Sequence, residues 1–166
     1  MTVTFLTLLP VGPQMPRFAA AFWWTTRRGS MALMRHEDQM TAQRAIEAAH
    51  QVMAAHITAL NSRDQAALAA TLHFPHVRLS GTTLKIWDTA DSYFADFLAR
   101  AGGDWHHSSF EDIRLVRAAP DRVHLDAEIR RFAADGSLIT RFRSLWVITH
   151  ETGRWAAKMR SSFAPA

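Results

Sequence analysis

Nine histidines and no cysteine define the chemistry open to this chain of 166 residues. Imidazoles can move a proton, donate a hydrogen bond to an oxygen or ligate a metal, whereas thiolate nucleophiles, thiolate metal sites and disulfide frameworks are excluded. His73-Phe74-Pro75-His76 and Trp105-His106-His107 have spacings that invite a metal reading. Adjacent residues of a strand point to opposite faces, so His106 and His107 do not share one ion. The sequence has no HExxH helix motif, and no metal or cofactor is expected. One of His106 and His107 should instead face a cavity and the other solvent.

The other groups with chemical potential are carboxylates, guanidinium groups and tryptophans. In Val123-His124-Leu125-Asp126-Ala127-Glu128-Ile129-Arg130, apolar and polar residues alternate. Such a strand buries one face and places Asp126 and Glu128 together on the other, which is either solvated or a polar pocket wall. Arg141, Arg143 and Arg160 carry planar forks suited to an anionic or carbonyl ligand, or to pairing with acids across strands. Trp87 and Trp146 offer flat apolar walls to a ligand cavity or to a core. The GxGxxG, GxxxxGK and GxSxG patterns are absent, which leaves nucleotide-loop and serine-hydrolase chemistry without support.

Elements must hold these groups in place, and the composition suits one domain: 48% of residues are hydrophobic and the net charge is +4. Arg17, Arg27 and Arg28, with no acid, lie in residues 1–30. The remaining 16 basic and 15 acidic side chains leave residues 31–166 at +1, which argues against a nucleic-acid partner. Pro10, Pro13 and Pro16 interrupt two apolar runs too short to span a membrane, and no basic start precedes them as in a secretory signal. Residues 1–38 are expected to be an arm, disordered or loosely packed, or an upstream over-reading, since Met31, Met34 and Met40 offer later starts. Residues 39–166 are expected to be the domain, resident in the cytoplasm.

From Gln39, the spacing of Ile46, Ala49, Met53, Ile57 and Leu60 predicts an amphipathic helix ending at Asn61-Ser62-Arg63-Asp64. A short helix over 65–72, capped by Asp64, stops before Pro75. A third runs over 90–100, opened by Asp88 or Thr89, with Tyr93, Phe94, Phe97 and Leu98 inward and Gly102-Gly103 closing it. Residues 76–80 and 83–87 read as a strand pair around Gly81. Residues 108–117, 122–132, 138–150 and 154–163 then form an antiparallel meander joined by turns. Helices followed by a curved antiparallel sheet make an α+β domain.

This order resembles the cone-shaped nuclear transport factor 2-like superfamily, which includes ketosteroid isomerases, scytalone dehydratases and SnoaL-like cyclases. His56-Ile57-Thr58-Ala59-Leu60-Asn61-Ser62-Arg63-Asp64 resembles the end of helix one in the isomerases, and Phe132-Ala133-Ala134-Asp135-Gly136 their late hairpin. The resemblance covers residues 40–163 and implies a curved antiparallel sheet with three N-terminal helices on its concave face. It puts His56 where the isomerases have a hydrogen-bond-donating tyrosine, and Glu128 where they keep a protonated acid. Their carboxylate base has no match in His76-Val77-Arg78-Leu79-Ser80, so a histidine, His73, His76 or His107, would take its place.

The resemblance thus implies His56, His76, His107 and Glu128 as catalytic groups, while Trp87, Asp126, Arg143, Trp146 and Arg160 are expected as ligand contacts from their own side-chain chemistry. It implies a cofactor-independent isomerase, dehydratase, cyclase or hydrolase acting on an apolar oxygenated compound. The alternative is a non-catalytic ligand-binding or dimerisation module. A small apolar or aromatic ligand and a homodimer are the expected partners, with no nucleic acid and no membrane. Fold alone selects no reaction.

Overall fold

The computed structural model describes residues 17–164, with side chains from residue 37. The chain separates into two compact units at Glu37/Asp38. Helix α1 (Arg17–Asn61) begins well before the expected Gln39, so the described part of the expected arm is helical. Residues 1–16 lie outside the described residues. No helix among the described residues is long and apolar enough to cross a membrane.

Within the second unit, α1 buries Ala45, Ala49, Val52, Met53, His56, Ala59 and Leu60. Ile46 and Ile57 are only half-buried, so the inward stripe is rotated slightly from the one their spacing predicts, and His56 lies on it. Helix α2 (Gln65–Ala70) is capped by Asp64, whose carboxylate accepts from the Ala67 amide at 2.9 Å. Helix α3 (Ala90–Ala101) is capped by Thr89, which accepts from the Ser92 amide at 3.2 Å, and ends at Gly102, whose φ of 83° favours glycine. It buries Tyr93 and Phe97 and half-buries Phe94. Leu98, expected inward, is 40% exposed because it falls outside the arc that Tyr93 and Phe97 define.

Six strands follow: β1 (Leu72–Ser80), β2 (Thr83–Trp87), β3 (His107–Ala119), β4 (Arg122–Phe132), β5 (Leu138–Glu151) and β6 (Arg154–Ser162). They form one curled, unclosed sheet in the order β2-β1-β6-β5-β4-β3. Every pairing is antiparallel except β1 with β6, where Arg78 lies opposite Arg160 and Ser80 opposite Ser162. β1 starts at Leu72 rather than at His76, because the Ala157 amide on β6 donates to the Thr71 carbonyl at 2.9 Å and draws the chain into the sheet early.

Alternation decides what each face carries. Val123, Leu125, Ala127 and Ile129 of β4 are buried, as are Phe142, Ser144, Trp146 and Ile148 of β5, and the two sets lie opposite each other in register. Val123, Leu125, Ala127, Trp146 and Ile148, with the apolar residues of the α1 stripe, Leu68, Tyr93 and Phe97, make one apolar core on the inner face. This is the α+β cone architecture, with helices on the concave side of the sheet.

Candidate functional site

The site lies on the inner face, where α1, α3 and the inward residues of β1, β5 and β6 converge. His56, carried there by the rotated α1 stripe, is 2% exposed and packs edge-on against Trp146, ring centroids 5.1 Å apart. Its Nδ1 lies 2.8 Å from Thr71 Oγ1, and that hydroxyl donates to the Leu68 carbonyl at 2.7 Å. The Thr71 proton is therefore committed, so His56 Nδ1–H donates to Thr71 and Nε2 keeps the lone pair.

His76 is fully buried on β1, stacked on Trp87 at 6.1 Å and edge-on to Tyr93 at 5.3 Å. Its Nδ1 is 3.1 Å from the Ala157 carbonyl, which can only accept, so this ring too is protonated on Nδ1. Its Nε2 is buried without a partner. Burial, reinforced by the Arg160 guanidinium, drives both imidazoles down to about 3. Both are neutral at physiological pH.

Arg160 enters from β6 between Trp146 and Arg78, its register partners. Its guanidinium lies 5.0 Å over the Trp146 ring, and only 6% of the residue is exposed. Burial, and then the Arg100 charge, lower its affinity for the proton. The space beside it, lined by His56, Tyr93, Phe97, Phe110, Trp146 and Arg131 among others, is about 20 Å³, room for about one water.

Arg131 also lines a second and larger hollow of about 430 Å³. Arg78, Ser80, Thr83, Lys85, Arg100 and Ala164 complete that wall. The inner face therefore offers a water-sized aromatic floor and a basic mouth. The floor is anchored where Asn61 and Ser108 exchange two hydrogen bonds of 2.8 Å and Trp105 Nε1 donates to Ser108 Oγ at 2.9 Å, tying α1 to β3.

Five of the nine residues marked in the sequence, His56, His76, Trp87, Trp146 and Arg160, are thus brought together. The other four lie on the opposite face of the sheet. Glu128, in the same outward set as Asp126, is paired in register with Arg143 and Glu111, and its carboxylate accepts from Arg130 Nε at 2.7 Å. Asp126 accepts from Arg143 Nε at 2.9 Å, and Arg143 also donates to Asp112 at 3.0 Å. Strict alternation on β4 and β5 commits these three residues to the outer face, so they do not join His56. His107 is half-buried and stacked on Phe132 at 4.8 Å on that same outer face, while the inward position next to it is taken by Ser108. His106 is exposed. Neither histidine faces the inner space, contrary to the expectation that one would.

Tyr93, expected inward on α3, lines the floor, and Arg78, Arg100 and Arg131 join the site without being among the residues marked in the sequence. Arg78 had a legible signal, since it shares a strand face with His76 two residues away. Arg131 did not, because two adjacent arginines at a strand end leave open which one turns inward. Among the described residues, no group of three His, Asp or Glu side chains is placed to hold a metal ion.

No protein-family model matches the sequence, and no curated protein matches it. Solved structures do match. An NTF2-like protein with a cystatin-like fold from Novosphingobium aromaticivorans superposes with a TM-score of 0.62 at 14% identity, over 75% of this chain and 84% of that one. A candidate ketosteroid isomerase from Shewanella frigidimarina gives 0.56 at 15% identity, over 69% and 94%. A candidate aromatic ring hydroxylase from Novosphingobium aromaticivorans gives 0.57 at 14% identity, over 74% and 90%. At these identities the likeness concerns the fold.

Proposed function

We propose that this nuclear transport factor 2-like domain is a small-molecule-binding protein that receives its ligand at the mouth of the cone. The observation that carries this reading is the hollow of about 430 Å³ opening beside an aromatic floor that holds the buried, neutral His56. The floor has room for about one water, so the bulk of a ligand occupies the mouth and at most a small group enters beneath Arg131.

A second reading adds catalysis without a cofactor: isomerisation, dehydration, cyclisation or hydrolysis of an oxygenated compound. It is favoured by the lone pair of His76 Nε2, which has no partner. The tautomers of His56 and His76 put an acceptor atom, not a donor, at each ring's free nitrogen. An imidazole held near 3 is a weak base, and no carboxylate lies on the inner faces of β4 and β5 to assist it. Binding is therefore the better-supported function, and proton transfer the subordinate one.

The outer face supports a homodimer. Leu79, Leu84, Ile86 and Met159 are 38–60% exposed there, on neighbouring strands of one sheet face. A second copy of the chain covers such a face with its own equivalent.

Native mass spectrometry of the purified full-length chain, followed by denaturing extraction, tests both parts. A compound retained in stoichiometric amount is the expected result. An empty protein that also fails to bind any member of a fragment library in the mouth would overturn the binding reading.

A further inference from the structure

The mouth of the cone carries far more positive charge than the fold neutralises. Arg78, Lys85, Arg100 and Arg131 line the hollow, and Arg160 lies beneath it. Against these five cations stands Asp96, which pairs with both Lys85 and Arg100. Among the described residues, no carboxylate pairs with Arg78, Arg131 or Arg160. The acids of the neighbouring strands, Glu111, Asp126 and Glu128, are held on the outer face by alternation and have their own arginines or strand partners there.

These guanidinium groups are also short of hydrogen-bond acceptors. Arg78 is 8% exposed and donates through Nη2 to Ser80 and Ser162, at 3.0 and 3.4 Å, but its Nε has no partner. Arg160 Nε, Arg131 Nε and Arg100 Nη2 are likewise buried and unpartnered. Rings supply part of what is missing: Trp146 under Arg160, Phe97 and Phe142 under Arg131, Trp87 and Phe97 under Arg100. A ring face stabilises a cation and accepts no in-plane N–H bond. Burial first, and then the Arg160 charge, bring Arg78 and Arg131 down to about 10, so both stay charged at neutral pH. Arg131 Nη1 reaches only the Arg100 carbonyl, at 3.5 Å, and a buried cation that stays charged without a carboxylate partner is strongly unfavourable, which an external anion resolves.

We propose that the mouth is an anion site, in which the carboxylate or phosphate group of a small organic acid sits at the throat among Arg78, Arg131 and Arg160. Lys85 and Arg100 at the rim draw it in. Planar forks suit such groups because each presents two N–H donors to two oxygens. The remainder of the ligand lies in the hollow, against the α3 and β2 side. This assignment rests on the reading of the mouth as the ligand site and adds an acidic group to the small apolar or aromatic ligand expected from sequence.

The test uses the full-length chain in low-salt, phosphate-free buffer with three probes: 4-nitrobenzoate, its neutral analogue 4-nitrobenzamide, and inorganic phosphate. Calorimetric titration is expected to show one site for 4-nitrobenzoate, at least tenfold tighter than for the amide and weakened by 0.5 M sodium chloride. Arg160→Gln and Arg78→Gln should each weaken it at least tenfold, while Arg44→Gln, an equal loss of charge at an exposed position of α1, should not. Phosphate that binds in place of the benzoate, with the same dependence on Arg78 and Arg160, assigns the site to phosphorylated rather than carboxylated ligands.

Equal affinity for acid and amide would overturn the anion site and leave the ligand-binding reading intact. So would binding of the benzoate or phosphate that is indifferent to Arg78 and Arg160. Failure of both benzoate and phosphate to bind at 10 mM would also overturn it, and the mass-spectrometric test would then judge the binding reading separately. Should Arg160→Gln not fold, Arg78→Gln and Arg131→Gln carry the same comparison.

Discussion

His56 and Thr71 form a fixed donor–acceptor pair: Nδ1 gives its proton to Oγ1 at 2.8 Å because the Thr71 hydroxyl has already given its own to the Leu68 carbonyl. The pair joins α1 to the residue that closes α2 and leads into β1. It therefore sets both the ring's tautomer and the position of the strand that carries His76 and Arg78.

Thr71→Val keeps the volume but leaves the His56 N–H buried and unpartnered. A loss of about 1–3 kcal/mol is expected in urea denaturation. Combining it with His56→Phe should cost clearly less than the sum of the two single changes, since the second removes the donor that the first stranded. Additive costs would show that the two side chains do not interact.

Stability should fall with acid well before the carboxylates titrate. His56 and His76 sit near 3 when folded and near 6.5 when unfolded. Below pH 6.5 the unfolded chain therefore binds protons that the folded chain refuses. Their contribution is complete above pH 6.5 and declines as pH falls toward 3, by about 1.4 kcal/mol per pH unit for each histidine. His73 is shifted in the same direction. The lowered acids, Asp96, Asp112, Asp135 and Glu151, add their own loss only further down. Urea midpoints measured between pH 7 and 4.5 should show this slope, and His76→Gln should flatten it. A midpoint constant across that range would contradict the buried neutral state.

Asp126→Asn and Glu128→Gln disrupt only half-exposed ion pairs on the outer face. Each should shift stability by less than about 1 kcal/mol and leave ligand retention at the mouth unchanged. Loss of the retained ligand in either variant would place those carboxylates in the site after all.

The outer apolar face predicts the oligomeric state. Light scattering at micromolar concentration should give a dimer for the native chain, and Ile86→Glu or Leu84→Asp should give a folded monomer, because both side chains are more than half exposed in the single chain. A native monomer would leave that face without its second copy.

Much of the architecture was legible in the sequence because it is local. Asp64 and Thr89 cap helices as short-range chemistry requires, glycines stop α3 and turn the late hairpin at Gly136, and the β4 alternation sorts residues onto two faces. That same alternation already placed Asp126 and Glu128 together on the non-core side. Their outward position was thus available from the pattern, even though the family resemblance pointed inward.

Alternation, caps and turns act over two to five residues, so the sequence by itself determined the elements, the paired faces of β4 and β5, and the exclusion of thiol and nucleotide-loop chemistry. The site was decided elsewhere. β1 runs parallel to β6, a pairing that no hairpin signal announces, and it sets Arg78 beside Arg160 and His76 within bonding distance of the Ala157 carbonyl. Only that long-range register, with α3 laid so that Arg100 and Phe97 meet Arg131, gathers guanidinium groups from three elements around one hollow.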